Sequence, residues 1–303
     1  MSTLFTGISE LRTVSERGTL NDAAIIAQSG TIAWVGPASE APAADEKVDL
    51  GGRAVLPGWV DSHTHMVFDG DRSAEFEARI SGGSYEAGGI AVTMDATRQA
   101  GTDRLDKLVA DRVAAGRRGG TTTFETKTGY GLNTESEVEA AKVASRHVDD
   151  VTFLGAHLVP PGADAEEYLD EVVGPMLEGV APYVQWIDVF CERGAFNEEQ
   201  SRRVLEAGKK LGLGLRVHGN QLGEGSGVAL AVELGAASVD HVNHLSDEDV
   251  ELLANSDTVA TMLPACDLST REPLAPGRTL LDAGATLAIA SNLNPGTSYT
   301  SSM

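Results

Sequence analysis

From residue 54 onward the chain repeats one pattern: short apolar runs rich in β-branched residues alternate with longer stretches of helical periodicity. The runs fall at residues 55–61, 121–125, 151–156, 186–190, 213–217, 237–240, 258–263 and 286–290. Helical stretches such as 135–147, 197–211 and 226–234 lie between them. Strands joined through helices run parallel with right-handed crossovers. Eight such units imply a sheet closed on itself, an α/β chain with a (β/α)8 TIM-type barrel. Residues 1–55 read instead as a small β-sandwich module. There the apolar run 23–27, the turn Gln28-Ser29-Gly30 and the returning run 31–36 make a hairpin signal. The barrel is then expected over 56–303. Only residues 291–303 follow the eighth run, so the last helix is expected to be missing and the C-terminus reads as truncated.

Composition limits the partners. Lys and Arg total 23 against 45 Asp and Glu, a formal net charge of -22. Nucleic acid and anionic membranes would be repelled by such a field. A small anionic substrate would need a local basic clamp. Cys191 and Cys266, far apart in sequence, do not imply a disulfide framework. Residues 1–13 lack the long apolar core of a signal peptide, and no apolar run is long enough to span a bilayer, so the expected location is the cytoplasm. The β module and an open barrel edge leave room for a homodimer.

Six of the seven histidines fall at the expected C-terminal ends of strands, where catalytic groups of such barrels sit: His63, His65, His157, His218, His241 and His244. His147 is placed on a helix and takes no role. In His63-Thr64-His65 the two imidazoles are two residues apart. In extended chain they point to one side and can share a metal. His218, from across the barrel, is the natural third ligand, and imidazole suits Zn²⁺ or Fe²⁺. His157 and His241 stay open between metal ligation and acid–base work. Arg72, in the loop after the first strand, has the geometry to bind a carboxylate with two hydrogen bonds. Gly129-Tyr130-Gly131 would bring a phenol to the barrel mouth. The small and amide residues of 292–298 suit a loop that approaches a ligand closely.

Pro57-Gly58 followed by Asp61-Ser62-His63-Thr64-His65 resembles the amidohydrolase superfamily. Within it, Val67-Phe68-Asp69-Gly70-Asp71-Arg72, Glu125-Thr126-Lys127-Thr128-Gly129-Tyr130-Gly131-Leu132, Thr152-Phe153-Leu154-Gly155-Ala156-His157, Asp188-Val189-Phe190-Cys191-Glu192 and Asn294-Pro295-Gly296 resemble the imidazolonepropionase family. The resemblance runs from the N-terminal module to residue 303. It implies one divalent metal, Zn or Fe, on His63, His65 and His218. It makes His241 the catalytic imidazole and places Arg72, Tyr130, His157 and Gln221 around the substrate. Asn294, Gly296 and Thr297 join them from the last loop, and His244 receives no role. The family carries an aspartate, a metal ligand and proton shuttle, where this chain has Asn292.

The implied reaction is hydrolysis of the cyclic amide 4-imidazolone-5-propanoate to N-formimidoyl-L-glutamate in histidine degradation, through a metal-activated water. Asn292 is a neutral ligand that accepts no proton at neutral pH, and losing a general base removes about 10² to 10⁴ in rate. Two alternatives stand beside this reading: another cyclic-amide hydrolase or deaminase of the superfamily, and a truncated homologue of low activity.

Overall fold

The hairpin foreseen near residue 29 has a physical signature. Ser29 and Gly30 both take positive φ, 51° and 77°, the turn that matches the twist of the strands it joins. The computed structural model describes residues 1–81 and 89–303, and it divides into two units, Met1–Gly58 and Trp59–Met303. In the first, β1 (Ser2–Arg12), β2 (Thr19–Gln28), β3 (Thr31–Pro37) and β4 (Glu46–Val55) form one sheet in the order β3-β2-β1-β4. β1 runs antiparallel to β2 and parallel to β4. Ile8, Leu11 and Ala23 are its buried centre.

The second unit holds eight strands in sequential order: β5 (Trp59–Asp61), β6 (Thr121–Lys127), β7 (Asp150–Ala156), β8 (Trp186–Cys191), β9 (Gly214–Gly219), β10 (Ser238–His241), β11 (Val259–Met262) and β12 (Leu287–Ile289). Every pairing between them is parallel. The helices of this unit are α1 (Ser73–Ile80), α2 (Ile90–Ala100), α3 (Thr102–Arg118), α4 (Thr134–Ala144), α5 (Ala165–Glu171), α6 (Leu177–Val180), α7 (Glu198–Lys210), α8 (Gly227–Leu234), α9 (Asp247–Ala254), α10 (Pro264–Thr270) and α11 (Gly277–Ala283). This is the barrel architecture expected from the alternating runs. Helix starts follow local chemistry. Asn197 and Gln200 form a reciprocal capping box on α7, as Ser246 and Asp249 do on α9, each satisfying amides that a helix start leaves without partners.

Two boundaries differ from the sequence reading by more than two residues. The run 55–61 splits, because Val55 ends β4 and β5 begins only at Trp59. Pro57 between them has no N–H to give a ladder. α4 stops at Ala144, so His147 lies in the turn beyond it, 3.0 Å from the Asp106 carboxylate.

Between β12 and β5 the ring is drawn together by side chains and loop backbone. Asp61 accepts from the Ser291 amide at 3.0 Å and from its hydroxyl at 2.5 Å. The Asn292 amide donates to His63 O at 3.0 Å, and the His65 amide to Leu293 O at 2.8 Å. On the other side the Lys127 amide donates to Thr64 O at 2.8 Å, and Thr64 Oγ1 donates to Glu125 O at 2.6 Å. Residues 63–65 are therefore pinned from both sides in an extended course just past β5.

Candidate metal centre

That pinning aims His63 and His65 into the barrel mouth. Their Nε2 atoms lie 3.3 Å apart, and the His65 Nε2 lies 3.4 Å from that of His218 on β9. All three side chains are buried. Three imidazole nitrogens so close to one another, with no charge between them, are poorly satisfied. A tetrahedral ion with bonds of 2.0–2.1 Å separates its ligands by about 3.3 Å, which is the spacing seen.

The far sides of the rings decide which nitrogen carries the proton. His63 Nδ1 lies 2.7 Å from Asp240 Oδ2 and donates to it, so its Nε2 presents a lone pair. His218 Nδ1 lies 3.0 Å from Asp188 Oδ2. Burial, with Lys127 and the other imidazoles nearby, holds His63 well below the ordinary imidazole range. Burial and the neighbouring His63 and His218 do the same for His65. Neutral imidazoles are what a cation requires. The residues present therefore fit a divalent metal, with His63, His65 and His218 offering one ligand atom each.

Behind the histidines lies a buried charge network. Lys127 Nζ is 3.0 Å from Glu125 Oε1, 3.0 Å from Asp188 Oδ2 and 3.8 Å from Asp240 Oδ2. Burial would lower the lysine's pKa, but these three carboxylates outweigh it and raise it. Burial would likewise raise Asp188, yet His218 and Lys127 hold it well below the usual carboxylate range.

Most of the other expected site residues gather at the same rim. His65, Arg72, Tyr130, His157, His218, Gln221, His241, Asn292, Asn294 and Thr297 line one cleft, together with the apolar Ile90, Leu158 and Phe190. His241 ends β10 with φ of 84°, and burial and the neighbouring His218 hold it well below the ordinary imidazole range. His157 Nδ1 donates to Gly129 O at 2.9 Å, leaving its Nε2 bare, and burial lowers its pKa to about 4. Gly129 has φ of +107°, and a Cβ there would stand 2.6 Å from Leu154 O, so only glycine allows this turn. The Asn292 side chain is buried with Oδ1 lacking a hydrogen-bond partner.

Two of these side chains are already engaged. Arg72 donates from Nε and Nη2 to Glu75, both at 2.8 Å. Asn294 accepts from the Gly296 and Thr297 amides and donates to Asn292 O and Thr297 Oγ1, all within 2.8 Å. It is spent on holding the last loop. Gly296 makes room for Arg72, since a Cβ there would sit 2.4 Å from Arg72 Cζ. His244 stands apart, 3.3 Å from Glu272.

No protein-family model matches the chain. Among curated proteins, the imidazolonepropionase of Arthrobacter sp. (strain FB24) is 65% identical over 314 residues, covering 100% of this chain and 78% of that protein. The imidazolonepropionase of Saccharopolyspora erythraea is 64% identical over 303 residues, again covering 100% and 78%. The chain belongs to the imidazolonepropionase family. Members of that family are hydrolases of cyclic-amide C–N bonds. Among solved structures, a guanine deaminase of C. acetobutylicum with bound guanine superposes with TM-score 0.69 at 14% identity, covering 98% of this chain and 76% of that one. An adenosine deaminase of Xanthomonas campestris with bound zinc gives 0.67 at 17%, covering 98% and 73%. At such identities these neighbours establish the fold alone, the (β/α)8 barrel.

Within the family frame, several residues that organise the site escaped the sequence reading. Asp188 interrupts the apolar run 186–190, Asp240 ends the run 237–240 and Lys127 lies just past the run 121–125, and those charges were the available signal. Glu137 had none. It is fully buried at the start of α4 and accepts from the Gly129, Gly131 and Leu132 amides at 2.7–2.9 Å, fixing the loop that carries Tyr130.

Proposed function

We propose that the chain hydrolyses 4-imidazolone-5-propanoate to N-formimidoyl-L-glutamate in histidine degradation, using one divalent ion, zinc or iron, held by His63, His65, His218 and the Asn292 amide oxygen. The observation that carries this reading is the convergence of three imidazole Nε2 atoms at the barrel mouth of a family member. A bound ion supplies a Lewis acid for the ring carbonyl and lowers the pKa of water from 15.7 towards about 7.

The chain's own groups do the rest. His241, neutral through burial, accepts a proton from the attacking water as its oxygen bonds to the ring carbonyl carbon. The ring C–N bond then breaks, and the proton passes to the departing nitrogen. Arg72 meets the propanoate with Nη1, since Glu75 occupies Nε and Nη2. Tyr130 and His157, held by the Gly129 turn, flank the ring, with Gln221, Asn294 and Thr297 completing the cleft and Gly296 leaving room for the Arg72 guanidinium. We place this chemistry in a barrel over 56–303, which follows a β module over 1–55 in the sequence, in a cytoplasmic homodimer. In support of that location, no helix among the described residues is long and apolar enough to cross a membrane.

Asn292 favours a second reading, a slow homologue. Its Oδ1 is buried and unpartnered, and an amide takes no proton. Asn292→Asp should raise kcat for imidazolone propanoate hydrolysis by about 10² to 10⁴. An unchanged kcat would show that the rim lacks no general base. Activity in the purified wild-type chain that disappears in His218→Ala is the direct test of the function itself.

A further inference from the structure

A second set of donors lies against the first. His241 on β10 and Cys266 and Asp267 on α10 place one ligand atom each within 4.8 Å of one another. Each is at most 3% exposed. His241 Nδ1 and Asp267 Oδ2 have no hydrogen-bond partner, and neither does the neighbouring Asn292 Oδ1. Cys266 Sγ has only a long contact from Gln221 Nε2, at 3.7 Å, besides the Thr297 and Asn292 side chains. Buried polar atoms are ordinarily paired. Here the imidazole nitrogen and one carboxylate oxygen are unpaired, while the other side of the Asp267 carboxylate is held by the Asn243 side chain and the Ala275 amide.

We propose that His241, Cys266 and Asp267 form a second cation site, sharing no ligand with the His63/His65/His218 cluster. Its donor set, one imidazole, one thiolate and one carboxylate, suits a borderline-soft ion such as Zn²⁺ or Cd²⁺ and disfavours Mg²⁺ and Ca²⁺. On binding, the Cys266 thiol gives its proton to solvent and coordinates as thiolate. The ion ties up the His241 lone pair, so excess divalent metal inhibits turnover. The inhibition rests on the proposed role of His241. The binding does not.

The test uses the chain loaded with one zinc ion and titrated with Cd²⁺. Wild type should take up one further equivalent and develop the ultraviolet thiolate-to-cadmium charge-transfer band. Cys266→Ala and Asp267→Asn should weaken that uptake at least about tenfold, Cys266→Ala should lose the band, and Cys191→Ala should keep both. Turnover without added metal should stay within about twofold in Cys266→Ala, while its inhibition by excess Zn²⁺ weakens in parallel with uptake. Uptake and band unchanged in Cys266→Ala, or lost in Cys191→Ala, would overturn the site. Cadmium binding at Cys266 without inhibition would uphold the site and overturn the role of His241.

Discussion

Lys127 is a single positive charge that three carboxylates share in the barrel interior, and two of those carboxylates orient ring nitrogens of His63 and His218. Removing one member of a buried ionic set leaves the others uncompensated, which costs about 3–5 kcal/mol. Lys127→Met should therefore lower the free energy of denaturant unfolding by that amount, and a loss within 1 kcal/mol would mean that water reaches the network. His157 shows how burial acts on pH dependence. Its pKa is about 4 in the folded chain against an ordinary 6.5. Between those values the unfolded chain binds more protons, so stability is complete above pH 6.5 and falls as the pH drops towards 4. The contribution of this one ring is on the order of 3 kcal/mol. Unfolding free energies from pH 7 to 4 should fall less steeply in His157→Gln than in wild type, and parallel slopes would contradict the assignment. At this scale the sequence was legible where one period governed it. His63 and His65 share a face because extended chain repeats every two residues. The Lys127 network was not legible, since its partners lie on strands joined only by the closed barrel.

Elements carry the site through their ends. β6 delivers Lys127 inward and then turns at Gly129, and the first turn of α4 carries Glu137, whose carboxylate collects three loop amides. Glu137→Ala strands three buried N–H groups, each a loss of about 1–3 kcal/mol before relaxation. Its effect on catalysis should be a raised KM for the substrate with the histidine cluster intact, because Tyr130 and His157 share the Gly129 turn. Steady-state kinetics on the variant check this, and an unaltered KM would free the loop from substrate binding. The eight strands were legible as apolar runs because a parallel sheet buried on both faces needs them. The first run misled because Pro57 divides β4 from β5 while both halves look apolar. The approach of Cys266 and Asp267, on α10, to His241, at the end of β10, has no local signature at all.

For the whole molecule, the net charge of -22 keeps anions away on average, and at the rim Arg72 is the group that can meet one. The barrel places five strand-end histidines on one rim, four of them in one cleft, and the family relationship gives that rim its substrate. The central claim is that His63, His65 and His218 hold the ion on which hydrolysis depends. Metal content and imidazolone propanoate turnover should be measured together on wild type and on His63→Ala, His65→Ala and His218→Ala chains, freed of loosely bound ions. Wild type should retain close to one equivalent of zinc or iron and hydrolyse the substrate, and each variant should lose both. Metal-free wild type that turns over at the same rate, or variants that keep their ion, would contradict the account.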